Sequence, residues 1–204
     1  MSTTLIIVVI TCIVSFLGFN NPRLINALIF SPQAIGSDRQ YYRFVTHGFI
    51  HANVPHLFVN MFTLYSFGTT MEQLYNGYLG PFGFVFFYLG GIVAAIVPTY
   101  LSNRNNPRYR SLGASGAISA VLFAFILLQP WAMLGLFAIV PVPAIVFAVL
   151  YTAYSIYMEK QQSGNVNHSA HLWGAAYGIV FTIAMEPRVI GVFIDQLSHP
   201  HFNL

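Results

Sequence analysis

GASGAISAVLFAFILL, residues 113–128, starts as a cluster of the smallest side chains around one serine and continues as an uncharged apolar run. Small residues at the mouth of such a run mark a helix whose first turn other backbones approach closely. The N–H groups of that first turn have no partner within the helix and carry a partial positive charge. The run reads as a helix over 115–128, short of the ~20 residues a bilayer crossing normally needs. A short apolar helix must be surrounded by protein or open to water at one end.

The rest of the chain fits that reading. Of its 204 residues, 56% are hydrophobic and 6% charged, against roughly 25% charged in a soluble domain. Mean hydropathy is +0.67. So few charges cannot cover a surface in water, so lipid is the solvent for most of the protein. The net charge of +3 comes without a long basic run interleaved with aromatics, which argues against nucleic acid as a partner. The single cysteine, Cys12, rules out an intrachain disulfide and a thiolate metal cluster. It reads as a small buried or lipid-facing side chain.

Apolar segments predict six helices at about 5–19, 55–74, 79–101, 115–128, 144–158 and 168–185. The first has no positively charged region before it and no small-residue cleavage site after it, so it reads as retained rather than as a signal peptide. The second opens near Pro55, a favoured residue at a helix start. Between these two lies a polar stretch, 20–54, punctuated by Pro and Gly. A basic loop at 102–111 carries Arg104, Arg108 and Arg110. Gln129 and Pro130 end the fourth helix, Pro141 and Pro143 punctuate the stretch before the fifth, and 159–167 reads as a polar loop. Residues 189–197 suit an interfacial turn of helix. The expected architecture is an all-α polytopic membrane protein, one domain over 1–204, with six transmembrane helices. The fifth helix, like the fourth, is expected to be enclosed by protein or open to water.

Polar groups inside apolar helices are costly and therefore informative. Ser115 sits among Gly113, Ala114 and Gly116 where a helix N-terminus would stabilise an oxyanion beside a serine nucleophile; a small-residue packing site with a serine cap is the alternative. His171 is followed by Gly174 and Gly178 on one helix face. That face suits close packing on Gly113, Gly116 and Ala120, which would bring His171 to Ser115. A structural hydrogen-bonding role is the other possibility. His56 and Asn60 lie one turn apart in an apolar run, either to donate to an oxyanion or to bridge helices. Glu72 is about 18 Å further along the same helix at 1.5 Å per residue, so no carboxylate is placed to orient the histidine. The arrangement fits a Ser–His dyad better than a triad. His47, His51 and His56 lack an Asp, Glu or Cys to complete a familiar metal spacing, and no metal or cofactor is expected.

Gly113-Ala114-Ser115-Gly116, the stretch 51–60 and Ala170-His171-Leu172-Trp173-Gly174 together resemble the rhomboid family of intramembrane serine proteases, in the family's order on the second, fourth and sixth helices. The resemblance spans Tyr42-Arg43 to Gly178. It implies the six-helix rhomboid core of a bacterial inner-membrane enzyme, without an added seventh helix or separate soluble domain. It implies a serine endopeptidase cleaving single-span membrane proteins within the lipid bilayer. Ser115 would be its nucleophile and His171 its general base, with His56, Asn60 and the Ser115 backbone N–H as the oxyanion hole. Tyr42-Arg43 resembles a Trp-Arg pair that shapes the first loop, Glu72 a structural glutamate, and Gly174 the glycine that lets the fourth and sixth helices touch. A substrate helix would unwind near the second and fifth helices to reach a watery cavity.

Ser119 departs from the family pattern, which often has an aromatic ring there to cushion the base. Phe123 or another ring is expected to compensate. Tyr42 replaces the usual Trp. The first, third and fifth loops hold Arg23, Arg39, Arg43, Arg104, Arg108, Arg110 and Lys160. The positive-inside rule would therefore turn the mouth to the cytoplasm, whereas the family topology turns it away, the orientation expected here. Two rival readings are a catalytically inactive relative that binds and escorts membrane proteins, and a small transporter. The first would normally lack the serine or histidine. The second would need polar residues reaching both faces.

Overall fold

Ser2 opens the first helix, accepting the Leu5 N–H, and α1 runs Thr3–Phe19. The computed structural model describes residues 2–136, 140–161 and 166–200. The polar stretch expected as a loop after α1 is largely ordered into short helices: α2 (Pro22–Leu28), α3 (Pro32–Asp38) and α4 (Arg43–Thr46), then a 3-10 turn at His47–Phe49. Asn21 caps α2 and Ser31 caps α3, each with Pro in the first turn.

The long elements come next: α5 (Val54–Leu79), α6 (Gly83–Asn103), α7 (Ser115–Leu128), α8 (Ala144–Gln161) and α9 (His168–Met185). With α1 they occupy the six expected positions. The closing α10 (Val189–Ser198) bends 112° away from α9, where an interfacial turn was expected. Among these, α6 alone is long and apolar enough to cross a membrane by length and composition, and α9 with α10 passes the same test only as a bent pair. One departure from an all-helical chain is a hairpin, β1 (Met133–Leu136) on β2 (Val140–Pro143), with Met133 opposite Pro143 and Gly135 opposite Pro141. Its prolines alternate, so their missing N–H groups fall on one edge. The middle of the expected 159–167 loop, 162–165, lies outside the described residues.

α7 is the central helix: every residue from Gly116 to Leu127 is buried, between α5, α6 and α9. Lipid tails are as apolar as side chains, so packing rather than expulsion from water must hold such helices together. The small-residue face supplies it. A Cβ on Gly174 would run into the Gly116 carbonyl, and one on Gly178 into the Ala120 carbonyl. Gly91 of α6 faces the Ala117 Cα at a distance its own Cβ would close to 3.4 Å. At the other end of the bundle the Tyr75 and Thr182 hydroxyls share a 2.7 Å hydrogen bond between α5 and α9.

α8 is longer than expected and, of the two alternatives, is not enclosed by protein. It continues to Gln161, 18 residues in all, and only Ala144, Ala148 and Ser155 are buried. At 1.5 Å per residue that is about 27 Å, and most of its length stands exposed at the edge of the bundle.

Gly178→Ala should therefore lower unfolding stability in detergent by about 3 kcal/mol, since the added methyl meets backbone that cannot move aside. Gly191→Ala, where a Cβ meets open space, should leave it unchanged or slightly raised.

Candidate active site

The loop before α7 is held from two sides before the helix begins. Phe30 and Ser111 form a two-way backbone bridge, with Phe30 N–H donating at 3.0 Å and Ser111 N–H at 3.3 Å. Gly113 N–H donates to the His47 carbonyl at 2.9 Å. Gly113 has φ +113°, a conformation glycine tolerates and other residues resist. A Cβ there would also lie 2.7 Å from the His56 ring. The Ala114 N–H donates to His51 Nε2 at 3.4 Å. His51 Nδ1 is 2.9 Å from Ser15 Oγ, and Ser15 donates onward to the Phe49 carbonyl at 3.1 Å. The chain is consistent only if His51 Nδ1 carries the proton and Nε2 accepts. With both nitrogens engaged, His51 supports the loop and has no free lone pair for a ligand.

Behind this lies Arg43, nearly buried. Its Nη1 donates to the Asn26 and Ile29 carbonyls at 2.8 and 2.7 Å, ending α2, and its Nε to Gln40 at 2.6 Å. The guanidinium lies over the Tyr42 ring, 5.5 Å from its centroid. His47 Nδ1 donates to the Arg43 carbonyl at 2.9 Å. Burial pushes the His47 imidazole down to about 4 against that hydrogen bond, so it is neutral at pH 7.

Ser115 is the first residue of α7, and no side chain caps the helix. Its first-turn N–H groups stay available to a developing negative charge. His171 lies in the first turn of α9, which Asn167 caps by accepting the Ala170 N–H at 3.0 Å. Asn167 Nδ2 donates to Thr99 Oγ1 of α6 at 3.1 Å. With α7 and α9 in backbone contact, His171 Nε2 lies 2.8 Å from Ser115 Oγ. For a neutral imidazole protonated on Nδ1, the serine hydroxyl donates and Nε2 accepts. No hydrogen bond to His171 Nδ1 forms among the described residues.

His56 and Asn60 face the same cavity of about 900 Å³ as Ser115 and His171. Asn60 is 4% exposed, and its Nδ2 donates to the His56 carbonyl at 2.9 Å, leaving a second amide N–H. Ser115, His171, His56 and Asn60 therefore share one cavity with Gly113 and Gly116, whereas Tyr42, Arg43 and Gly174 lie outside its lining. Glu72 lies at the opposite end of α5. Its carboxylate accepts the N–H groups of Thr3 and Thr4 at 2.7 and 2.8 Å and the Thr4 hydroxyl at 2.7 Å, capping α1.

Sequence reasoning missed one contributor. The ring against His171 is Tyr151 of α8, with centroids 5.9 Å apart and planes at 20°. Of the expected alternatives, Phe123 or another ring, it is another ring that meets His171, and Phe123 packs on Tyr151 at 5.8 Å. The Tyr151 and Ser119 hydroxyls are 2.8 Å apart. The polar residue at position 119 was visible, but a partner 32 residues away leaves no spacing signal. His168 packs edge-on against His171 at 5.6 Å and Tyr154 at 5.5 Å.

Residues 38–188 match the family description "Rhomboid domain". The mitochondrial RHOMBOID-like protein 12 of Arabidopsis thaliana is 32% identical over 173 residues, covering 79% of this chain and 51% of that protein. The mitochondrial presenilin-associated rhomboid-like protein A of Danio rerio is 34% identical over 142 residues, 66% of this chain and 35% of that protein. The mitochondrial rhomboid protein 1 of Saccharomyces cerevisiae is 32% identical over 142 residues, 65% of this chain and 38% of that protein. The chain thus spans between a third and about half of the length of these relatives.

The loop carries two measurable consequences. Between the ordinary histidine value of 6.5 and the folded value of about 4, the unfolded chain binds the proton that buried His47 refuses. Stability therefore falls as pH drops through that window. The thermal midpoint in detergent should decline from pH 6.5 to 4, and His47→Gln should flatten part of that decline. Gly113→Ala should cost about 1–3 kcal/mol in denaturant unfolding, because alanine is strained at this φ.

Proposed function

Because this chain belongs to the rhomboid family of membrane proteins, we propose that it is an intramembrane serine endopeptidase working through a Ser115–His171 dyad. The observation that carries this reading is the 2.8 Å contact between His171 Nε2 and Ser115 Oγ at an uncapped helix start. All six long helices cross the bilayer in this proposal, with α7 recessed: its 14 residues span about 21 Å of a ~30 Å hydrocarbon core.

Ser115 Oγ attacks the scissile carbonyl carbon as its proton passes to His171 Nε2. The tetrahedral oxyanion is met by the Ser115 backbone N–H, the free amide N–H of Asn60 and the His56 ring. Collapse breaks the C–N bond, and His171 returns the proton to the leaving amine. Water then attacks the acyl-serine ester, gives a proton to His171, and the ester breaks as Ser115 Oγ regains it. The substrate is a single-span membrane protein that unwinds into the cavity between α5 and α8. The relatives, named as mitochondrial, give no support to a bacterial inner membrane, and we propose only an integral membrane position.

Cleavage of a single-span reporter in detergent tests the reading. Ser115→Ala and His171→Ala should abolish it, and Asn60→Ala should lower kcat about 100-fold with the fold intact. Undiminished cleavage by Ser115→Ala would sink the assignment, as would fluorophosphonate labelling that persists in that variant.

A further inference from the structure

We infer that Tyr151, held by Ser119, is the positioning residue of the His171 base, so that α8 sets the orientation of the dyad. The inference rests on the protease reading above and adds a residue from a helix that contributes neither member of the dyad.

His171 has one hydrogen bond from its ring, Nε2 to Ser115 Oγ, and none to Nδ1 among the described residues. A catalytic histidine is usually oriented by a third group on that second nitrogen. Without one, the ring is free to swing about χ2 unless something packs its face. Tyr151 does so: near-parallel planes at 20° and a centroid distance of 5.9 Å are an offset stack. The phenol face also favours the imidazolium that forms when the base takes the serine proton, a charge that no carboxylate hydrogen-bonded to the ring balances among the described residues.

Tyr151 is itself fixed from two sides. Its hydroxyl and that of Ser119 are 2.8 Å apart. Ser119 is buried at 4% exposure, so each hydroxyl would be left unpaired without the other, a costly state away from water. Among the described residues this is the one side-chain hydrogen bond joining α8 to α7. Behind the ring, Phe147 stacks at 5.5 Å and Phe123 tilts at 5.8 Å. The polar residue one turn after Ser115 is therefore a receptor for the ring, not a gap where a ring is missing. Because α8 is thinly buried, the same helix borders the cavity and holds the base, so displacing it removes the ring from His171.

Four variants of the full chain in detergent test this against reporter cleavage, with thermal midpoints measured for each. Tyr151→Leu should lower kcat about 10- to 100-fold, as misplacing a catalytic group does, with KM near wild type when assayed below the midpoint, which falls in Tyr151→Leu and in Tyr151→Phe through the lost hydrogen bond. Tyr151→Phe keeps the ring and should rescue most of the activity. Ser119→Ala should match Tyr151→Phe, and Ser119→Ala combined with Tyr151→Phe should cost no more than either alone, because both remove one bond. In protein labelled at histidine, the His171 ring proton signals, assigned by their loss in His171→Asn, should move downfield in Tyr151→Leu and stay in Tyr151→Phe as ring current is lost or kept. Tyr151→Leu with wild-type kcat, a loss tracking only the midpoint, or unmoved His171 signals overturns the inference. Wild-type cleavage that survives Ser115→Ala reports instead that the protease reading has failed, and the ring-proton shift then decides by itself whether Tyr151 orients His171.

Discussion

Backbone meets backbone where Gly174 and Gly178 of α9 lie against Gly116 and Ala120 of α7, and the geometry of the cavity depends on that contact. Ordinary side chains hold helix axes 8–10 Å apart. Two glycines one turn apart, facing small residues, remove the layer that would separate them. A serine on the first turn of one helix and a histidine on the first turn of the other then fall within hydrogen-bond distance. Neither side chain has to stretch to reach the other.

The helix contact does not set the conformation of the chain entering α7. This comes from the first loop, through the Gly113 N–H on the His47 carbonyl, the His51 ring on the Ala114 N–H, and the Phe30–Ser111 bridge. Arg43 anchors the loop in turn by closing the carbonyl end of α2. The helix start is thereby left without a side-chain cap, its N–H groups supported from behind and open in front. Histidines that look in the sequence like a polar or metal-binding cluster divide by position. His47 and His51 hydrogen-bond into the scaffold, His47 at the cavity wall and His51 behind it, and His56 lines the cavity.

Elements governed by local rules are legible in the sequence. The six long helices follow from uninterrupted apolar runs. α2 and α3 carry Asn-Pro and Ser-Pro starts, local helix signals that the polar character of residues 20–54 masked. The hairpin at β1 and β2 was less accessible, since Pro141 and Pro143 argue against a strand unless it is an edge. The burial of α7 and the exposure of α8 were not separable by periodicity, because apolar residues lie on every side of α7 and on most of α8 before its Glu159-Lys160-Gln161 end.

By itself the sequence determined the membrane character, the order of the helices and the identity of the groups on the glycine face, because hydropathy and one-turn spacing are local properties that tertiary packing does not alter. It also placed Ser115, His171, His56 and Asn60 at helix mouths or on one helix turn. Only the tertiary structure decided which ring stands against His171. Ser119 of α7 and Tyr151 of α8 are 32 residues apart, His171 of α9 lies further on, and a serine and a tyrosine carry no signal when read apart. Face-to-face packing of three helices makes them one unit, and no periodicity along a single helix encodes the rotation of a third.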